Sequence, residues 1–227
     1  MKAYKFRAAS QFAFALDIIF NRRLYCADWR TLNDPMEGRF VCTDRGPNER
    51  DLEEEVAKII EEKEGLRICS LSQTFDSHLL WAHYASGFDG LAVEVELPDD
   101  SDQIKTLRYR GVFASISVDK PFDAYETARQ ILSSKDQEWE YEKEVRVLQR
   151  GDWFRLGKPV SRVIAGHRMN PALFRALRMV CEREGIELCR TGIGDEGIDA
   201  DRVLPLEPGT KRSHGRARRS RVEKAAS

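Results

Sequence analysis

The sequence lacks most of the short signatures by which enzymes announce themselves. No G-x-G-x-x-G follows a strand and no P-loop is present, which excludes phosphate cradling of those two kinds. No G-x-S-x-G elbow presents an acyl-transfer serine. H-E-x-x-H is missing, and the 4 histidines show no ligand spacing with cysteines, so no zinc site is expected. Cys26, Cys42, Cys69, Cys181 and Cys189 form no C-x-x-C pair, and 5 thiols cannot all pair with one another. No apolar run approaches the roughly 18 residues that a membrane-spanning helix needs. The apolar stretch 12–20 is interrupted by Asp17 and followed by Arg22 and Arg23, unlike a secretory signal. The expectation is a cytoplasmic protein with buried, reduced thiols and no membrane association.

What is present suits one domain with a tail. At 227 residues, 41% hydrophobic and 33% charged, the chain can furnish a core and cover it with a polar surface. The net charge of −1 hides an asymmetry. Residues 210–227 carry a net charge of +6, and the remainder carries −7. Residues 209–227 have too little apolar surface to offset the entropy of ordering, so a disordered basic tail is expected after a domain at 1–208. Such an arm suits a nucleotide or nucleic acid, and it suits mere solubilisation equally well.

Periodicity then lays out the domain. Alternating or short apolar runs predict strands at 3–7, 24–27, 66–72, 90–98, 107–109, 112–118, 141–149, 160–165 and 186–190. Helical spacing predicts helices over 12–20 (capped by Ser10), 51–64, 77–86, 123–133 and 171–184. Asn170 and Pro171 mark the start of the last, and Gly185 its end. Asn33-Asp34-Pro35 is a turn signal, since proline fixes φ and Asx side chains bond nearby backbone. The fold class is therefore α+β, with helices flanking a mixed or mainly antiparallel sheet.

The stretch Trp139-Glu140-Tyr141-Glu142-Lys143-Glu144-Val145-Arg146 carries the most chemistry. Period-2 geometry on a strand over 141–149 puts Glu142, Glu144 and Arg146 on one face, opposite Val145 and Val147. Two carboxylates and a guanidinium on a rigid strand fit a site, and they fit a solvated strand face too. Trp81 and Tyr84 share a helix face, as core aromatics or as a stacking surface. Trp139 is expected to pack inward beside them.

Five ordered motifs give the chain a resemblance. Tyr4-Lys5-Phe6, Asn33-Asp34-Pro35-Met36-Glu37, Cys69-Ser70-Leu71-Ser72, Trp81-Ala82-His83-Tyr84-Ala85 and the Trp139–Arg146 stretch resemble a widespread bacterial family of unknown function, over residues 3–205. A second resemblance concerns the order of an arginine on a first strand, a serine-bearing strand before a helix, and Glu-x-Glu on a late strand. In this order the chain is similar to the arginine–serine–glutamate ADP-ribosyltransferases, although its middle motif reads Ser-Leu-Ser.

That second resemblance implies an ADP-ribosyltransferase-like fold with a split sheet, NAD as co-substrate, a protein acceptor, and a bacterial effector or defence role. It implies that Arg7 clamps the pyrophosphate and that Ser70 or Ser72 positions nicotinamide. Trp81 or Tyr84 would stack on the nicotinamide ring. Glu144 would stabilise the oxocarbenium-like ribose, and Glu142 would orient or deprotonate the acceptor. Two other classes fit the same residues. Asp34, Glu37, Glu142 and Glu144 could converge on magnesium in a nuclease or phosphodiesterase, or the cleft could sense a nucleotide without catalysis.

Overall fold

The computed structural model describes residues 1–42, 49–111, 113–117, 123–195 and 197–203; the basic tail lies outside these residues. Among them, nine strands form one sheet. They are β1 (Lys2–Arg7), β2 (Ala27–Asp28), β3 (Arg67–Ser72), β4 (Leu91–Glu96), β5 (Ile104–Thr106), β6 (Glu144–Gln149), β7 (Arg162–Ala165), β8 (Glu187–Gly194) and β9 (Gly197–Arg202). The order is β9-β8-β7-β4-β1-β3-β6-β5, with β2 also on β3. Every pairing is antiparallel except β7 with β8. That parallel pair is joined through a helix, as parallel neighbours require a crossover.

Five α-helices flank the sheet: α1 (Phe12–Asn21), α2 (Glu49–Glu64), α3 (His78–Tyr84), α4 (Ala124–Ile131) and α5 (Pro171–Glu184). On one face, Ala15, Ile18 and Ile19 of α1 and Leu177 and Cys181 of α5 pack with Val93, Val95, Val145 and Val147. On the other, Leu80 and Trp81 of α3 pack with Tyr4, Phe6, Ala92 and Ile164. Farther along that face, Ile59 of α2 and Ala128 and Ile131 of α4 close over Ile68 and Leu148. A sheet covered on both faces explains why all six residues of β6 are buried.

Local chemistry sets the helix ends. Asn170 Oδ1 accepts from the Ala172 and Leu173 amides, Pro171 occupies the first turn, and Gly185 ends α5 at φ 69°. Ser77 Oγ accepts from the Leu80 amide at the start of α3. At its end Gly87, at φ 64°, donates its amide to the Trp81 carbonyl. Ser10 does not cap α1. Residues Ala9–Gln11 form a 3-10 turn instead, and Gln11 stands at the helix start without a side-chain bond. β9 has no counterpart in the periodicity, because Gly197–Arg202 (GIDADR) carries one large apolar residue.

The strand expected over 141–149 is shorter than predicted. Gln137–Glu142 form a 3-10 helix, Lys143 turns the chain at φ 43°, and β6 begins at Glu144. Asp136 caps this 3-10 helix by accepting from the Glu138 amide, and that competing local bond is what ends the extended run.

The sheet opens between β1 and β3. Their pairing is confined to Tyr4 opposite Ser72, while β2 takes the far end of the same edge of β3, opposite Ile68 and Arg67. Lys5 Nζ donates to the Ser70 carbonyl at 2.6 Å, serving an acceptor that the diverging ladder leaves unpaired.

Candidate functional site

A cavity of about 390 Å³ occupies this opening. Lys5 and Arg7 of β1 and Ser70 and Ser72 of β3 contribute to its wall, together with Tyr84, Glu142 and Glu144. Each side chain arrives for a local reason. Asp34 Oδ1 accepts from the Met36 amide at 2.9 Å, an Asx turn that reverses the chain and delivers Glu37. Gly38 completes the turn at φ 73°, against the Trp29 ring; a Cβ there would lie 2.6 Å from the indole. Ser134–Asp136 pairs in parallel with Arg108–Arg110, placing Lys135 opposite Tyr109. Tyr109 Oη accepts from the Glu144 amide at 2.6 Å, which ties this small ribbon to the start of β6.

Three carboxylates and two cations meet behind the cavity. Lys135 Nζ lies 2.6 Å from Glu142 Oε2, 3.1 Å from Glu144 Oε2 and 3.3 Å from Glu37 Oε1. Arg146 Nε donates to Glu144 Oε1 at 2.6 Å, one Nη pairs with Glu37, and the other donates to the Leu132 carbonyl at 2.8 Å. All five side chains are at least nine-tenths buried. The solvated strand face is therefore not what forms: Glu142, Glu144 and Arg146 are interior.

The two glutamates sit in unlike electrostatic settings. Burial alone would raise the Glu144 pKa, but Arg146 and Lys135 overcome it and hold this carboxyl near 2. Burial raises the Glu142 pKa, and the neighbouring Glu144 charge adds to it against the opposing pull of Lys135. Lys135 is shared by three acids, so it satisfies Glu142 only in part. Tyr84 Oη donates to Glu142 Oε1 at 2.6 Å and accepts from Asn33 Nδ2 at 2.8 Å. Burial and that bond to Glu142 raise the Tyr84 pKa.

The serines differ as well. Ser72 Oγ donates to the Glu142 carbonyl at 2.6 Å and accepts from the Thr74 amide, which pins the segment before β6. Ser70 Oγ lies beside the Glu144 carboxylate without full hydrogen-bond geometry. Arg7 Nε is buried with no partner, and the ring of Phe14 stands 5.9 Å from its guanidinium.

Arg7, Ser70, Ser72, Tyr84, Glu142 and Glu144 are thus brought to one cavity. Trp81 is not. It is fully buried between Phe6 and Phe88, stacked on the latter at 5.4 Å, with Nε1 donating to the Phe75 carbonyl. An indole enclosed on both faces has no surface left for a nicotinamide ring. Trp139 is only half-buried; its ring lies 4.7 Å from Lys135 Nζ as a partial cover.

Sequence reasoning missed Lys135, Tyr109 and the part played by Asn33. No sequence signal singles out Lys135; only once the fold shows the acids to be interior does a second cation become necessary. Three acids placed around one arginine leave an uncompensated interior charge, so a second cation had to come from elsewhere in the chain. The carboxylates also bear on the magnesium alternative. Among the described residues no group of three or more His, Cys, Asp or Glu side chains is arranged to hold a metal ion. Asp34 is spent on its turn, and Glu37, Glu142 and Glu144 face cations of the protein.

These features define an α+β domain whose main, mostly antiparallel sheet opens over a buried ionic cluster. No family model, curated protein or solved structure matches the chain. No helix among the described residues is long and apolar enough to cross a membrane.

Proposed function

We propose that the cavity binds the nicotinamide–ribose portion of NAD and cleaves the bond between them, passing the ADP-ribosyl group to an acceptor. The observation that carries this reading is the meeting of Glu142 and Glu144 with the orphaned Arg7 Nε in one opening. Cleavage expels nicotinamide and builds positive charge on the ribose, so a permanently ionised carboxylate near that carbon lowers the barrier. Glu144, held ionised by Arg146 and Lys135, supplies such a charge without reorganisation. Glu142 keeps a raised pKa and can take a proton from an acceptor hydroxyl or water. Arg7 offers an uncommitted buried donor to the pyrophosphate. At about 390 Å³ the cavity holds the reacting half of the dinucleotide and leaves the adenosine half to the rim. The acceptor is proposed to be a protein, and bacterial defence or an effector role would suit this chemistry.

A second reading draws on the same cluster. Both Glu144 oxygens are already engaged, which suits a site that senses a nucleotide and leaves it intact. Nicotinamide release from NAD separates the two. Under the transferase reading the full chain releases nicotinamide, and Glu144→Gln lowers turnover about 100- to 1,000-fold with NAD binding little changed. Glu142→Gln suppresses transfer while sparing hydrolysis. NAD binding without nicotinamide release would establish the sensor, and full activity in folded Glu144→Gln would end the transferase reading.

A further inference from the structure

Lys5 is a half-buried cation that the cluster leaves out. Lys135 touches three carboxylates, whereas neither Lys5 nor Arg7 forms an ion pair among the described residues. A lysine ammonium has three protons to place; among the described residues Lys5 Nζ donates to one oxygen, the Ser70 carbonyl at 2.6 Å, and lies beside the Cys69 thiol. That bond fixes the amine in the gap between β1 and β3, where Lys5 forms part of the cavity wall. A lysine retained only to close the sheet would be expected at a carboxylate or with its head in water. Burial lowers its pKa and Arg7 lowers it further, while Cys69 and Glu144 oppose, so a larger share is unprotonated at neutral pH than for a surface lysine. Arg7 follows two residues later on the same strand, its Nε buried and unsatisfied. Glu142 lines the same cavity, with a carboxyl that burial makes easier to protonate.

We propose that Lys5 is a nucleophilic amine that forms an imine with a small aldehyde carrying an anionic group, the anion resting on Arg7. The Nζ lone pair attacks the carbonyl carbon, and the carbonyl electron pair moves to oxygen, which takes a proton from the Glu142 carboxyl. Nitrogen then sheds a proton to the Glu142 carboxylate. The hydroxyl of the resulting carbinolamine takes that proton from the Glu142 carboxyl and leaves as water, and the nitrogen of the iminium gives its remaining proton back to the Glu142 carboxylate. Amine and carbonyl become imine and water, with no oxidant or reductant consumed. The assignment does not rest on NAD cleavage, and its test uses no NAD.

The full chain is incubated at neutral pH with glyoxylate, an aldehyde bearing a carboxylate, and sodium cyanoborohydride to trap imines. Peptide mass mapping then follows each lysine with time. Lys5 is expected to be carboxymethylated on the order of tenfold faster than exposed lysines such as Lys143. Arg7→Met should slow labelling of Lys5 by glyoxylate several-fold more than labelling by uncharged propanal, which loses only the part that Arg7 plays in lowering the Lys5 pKa. Labelling of Lys5 no faster than of Lys143 in the unmodified sequence overturns the proposal without recourse to any variant. Equal loss of glyoxylate and propanal labelling in Arg7→Met overturns the anionic subsite.

Discussion

Lys135→Met offers the most direct probe of the ionic cluster. The substitution keeps an unbranched side chain of similar length and removes only the ammonium. Lys135 Nζ touches Glu142, Glu144 and Glu37 at 2.6, 3.1 and 3.3 Å, and every partner is nearly inaccessible to water. Without it, three interior carboxylates face one guanidinium. Removing one member of a buried ion pair costs about 3–5 kcal/mol, because the remaining charge stays desolvated. The loss should fall at the upper end of that interval, since a single cation serves three acids. In a protein of this size it corresponds to a fall in Tm of about 6–20 °C.

Its pH dependence separates this cause from a packing defect. With the ammonium gone, the cheapest relief is to protonate a glutamate, and Glu142 already has a raised pKa. The penalty should therefore be largest near pH 7 and shrink as the pH falls towards 5. Urea denaturation of both proteins at pH 5, 6 and 7 reads the difference directly. A loss below about 1 kcal/mol at pH 7, or one that stays constant across the series, would refute the reasoning. The first result would mean that the cluster is hydrated, and the second that methionine fits badly.

Other perturbations address the remaining parts. Glu144 has its pKa lowered from 4.5 to about 2, so its contribution is full above 4.5 and vanishes as the pH falls towards 2. That contribution is roughly 3 kcal/mol, and Glu144→Gln should flatten acid unfolding followed by circular dichroism over this window. Tyr84→Phe removes the 2.6 Å bond to the buried Glu142 and hands the exposed Asn33 amide to water. It should cost about 1–2 kcal/mol in urea and raise the Glu142 pKa further, read by carboxyl-labelled NMR. Trp81→Ala empties the site between Phe6 and Phe88 and should cost about 3–5 kcal/mol by the same denaturation, with ligand binding at the cavity affected only through the loss of folded protein.

The elements that could be read from the chain are those whose signal is local. β4 shows in Leu91, Val93 and Val95, and α5 is announced by Asn170, Pro171 and Gly185, because caps and periodicity act within a few residues. The same logic misplaced the start of β6. Glu142 and Glu144 lie two apart in sequence and do reach one cation, but Lys143 sits between them in the left-handed region, not in an extended pleat. The conclusion that they converge stood on the wrong geometry. Burial was misjudged for a related reason. Charged residues are rarely interior unless paired, and the pairing partners, Lys135 and Glu37, come from segments 7 to 109 residues away from the carboxylates and guanidinium they meet. Nothing in Ser-Ser-Lys-Asp distinguishes Lys135 from a surface lysine until the Arg108–Arg110 ribbon carries it inward.

That dependence on distant partners bears on what the cluster does. An interior ion network is seldom the most stabilising way to fill space, since well-packed apolar residues of equal volume often serve as well or better. Here five charged side chains are concentrated at the place where the sheet opens, whereas the clusters elsewhere on both faces are mainly aliphatic and aromatic, with Glu94 on β4 as a separate buried acid paired to Lys2 and Arg162. The network orients Glu142 towards the cavity from two sides, through Lys135 and through Asn33 and Tyr84, and it leaves Lys5 and Arg7 across the gap without ion-pair partners among the described residues. Acids held rigid on one wall and uncommitted cations on the other give a ligand with an electrophilic carbon and an anionic group opposed contacts at its two ends. A network retained for stability alone would have no reason to stop short of those two cations.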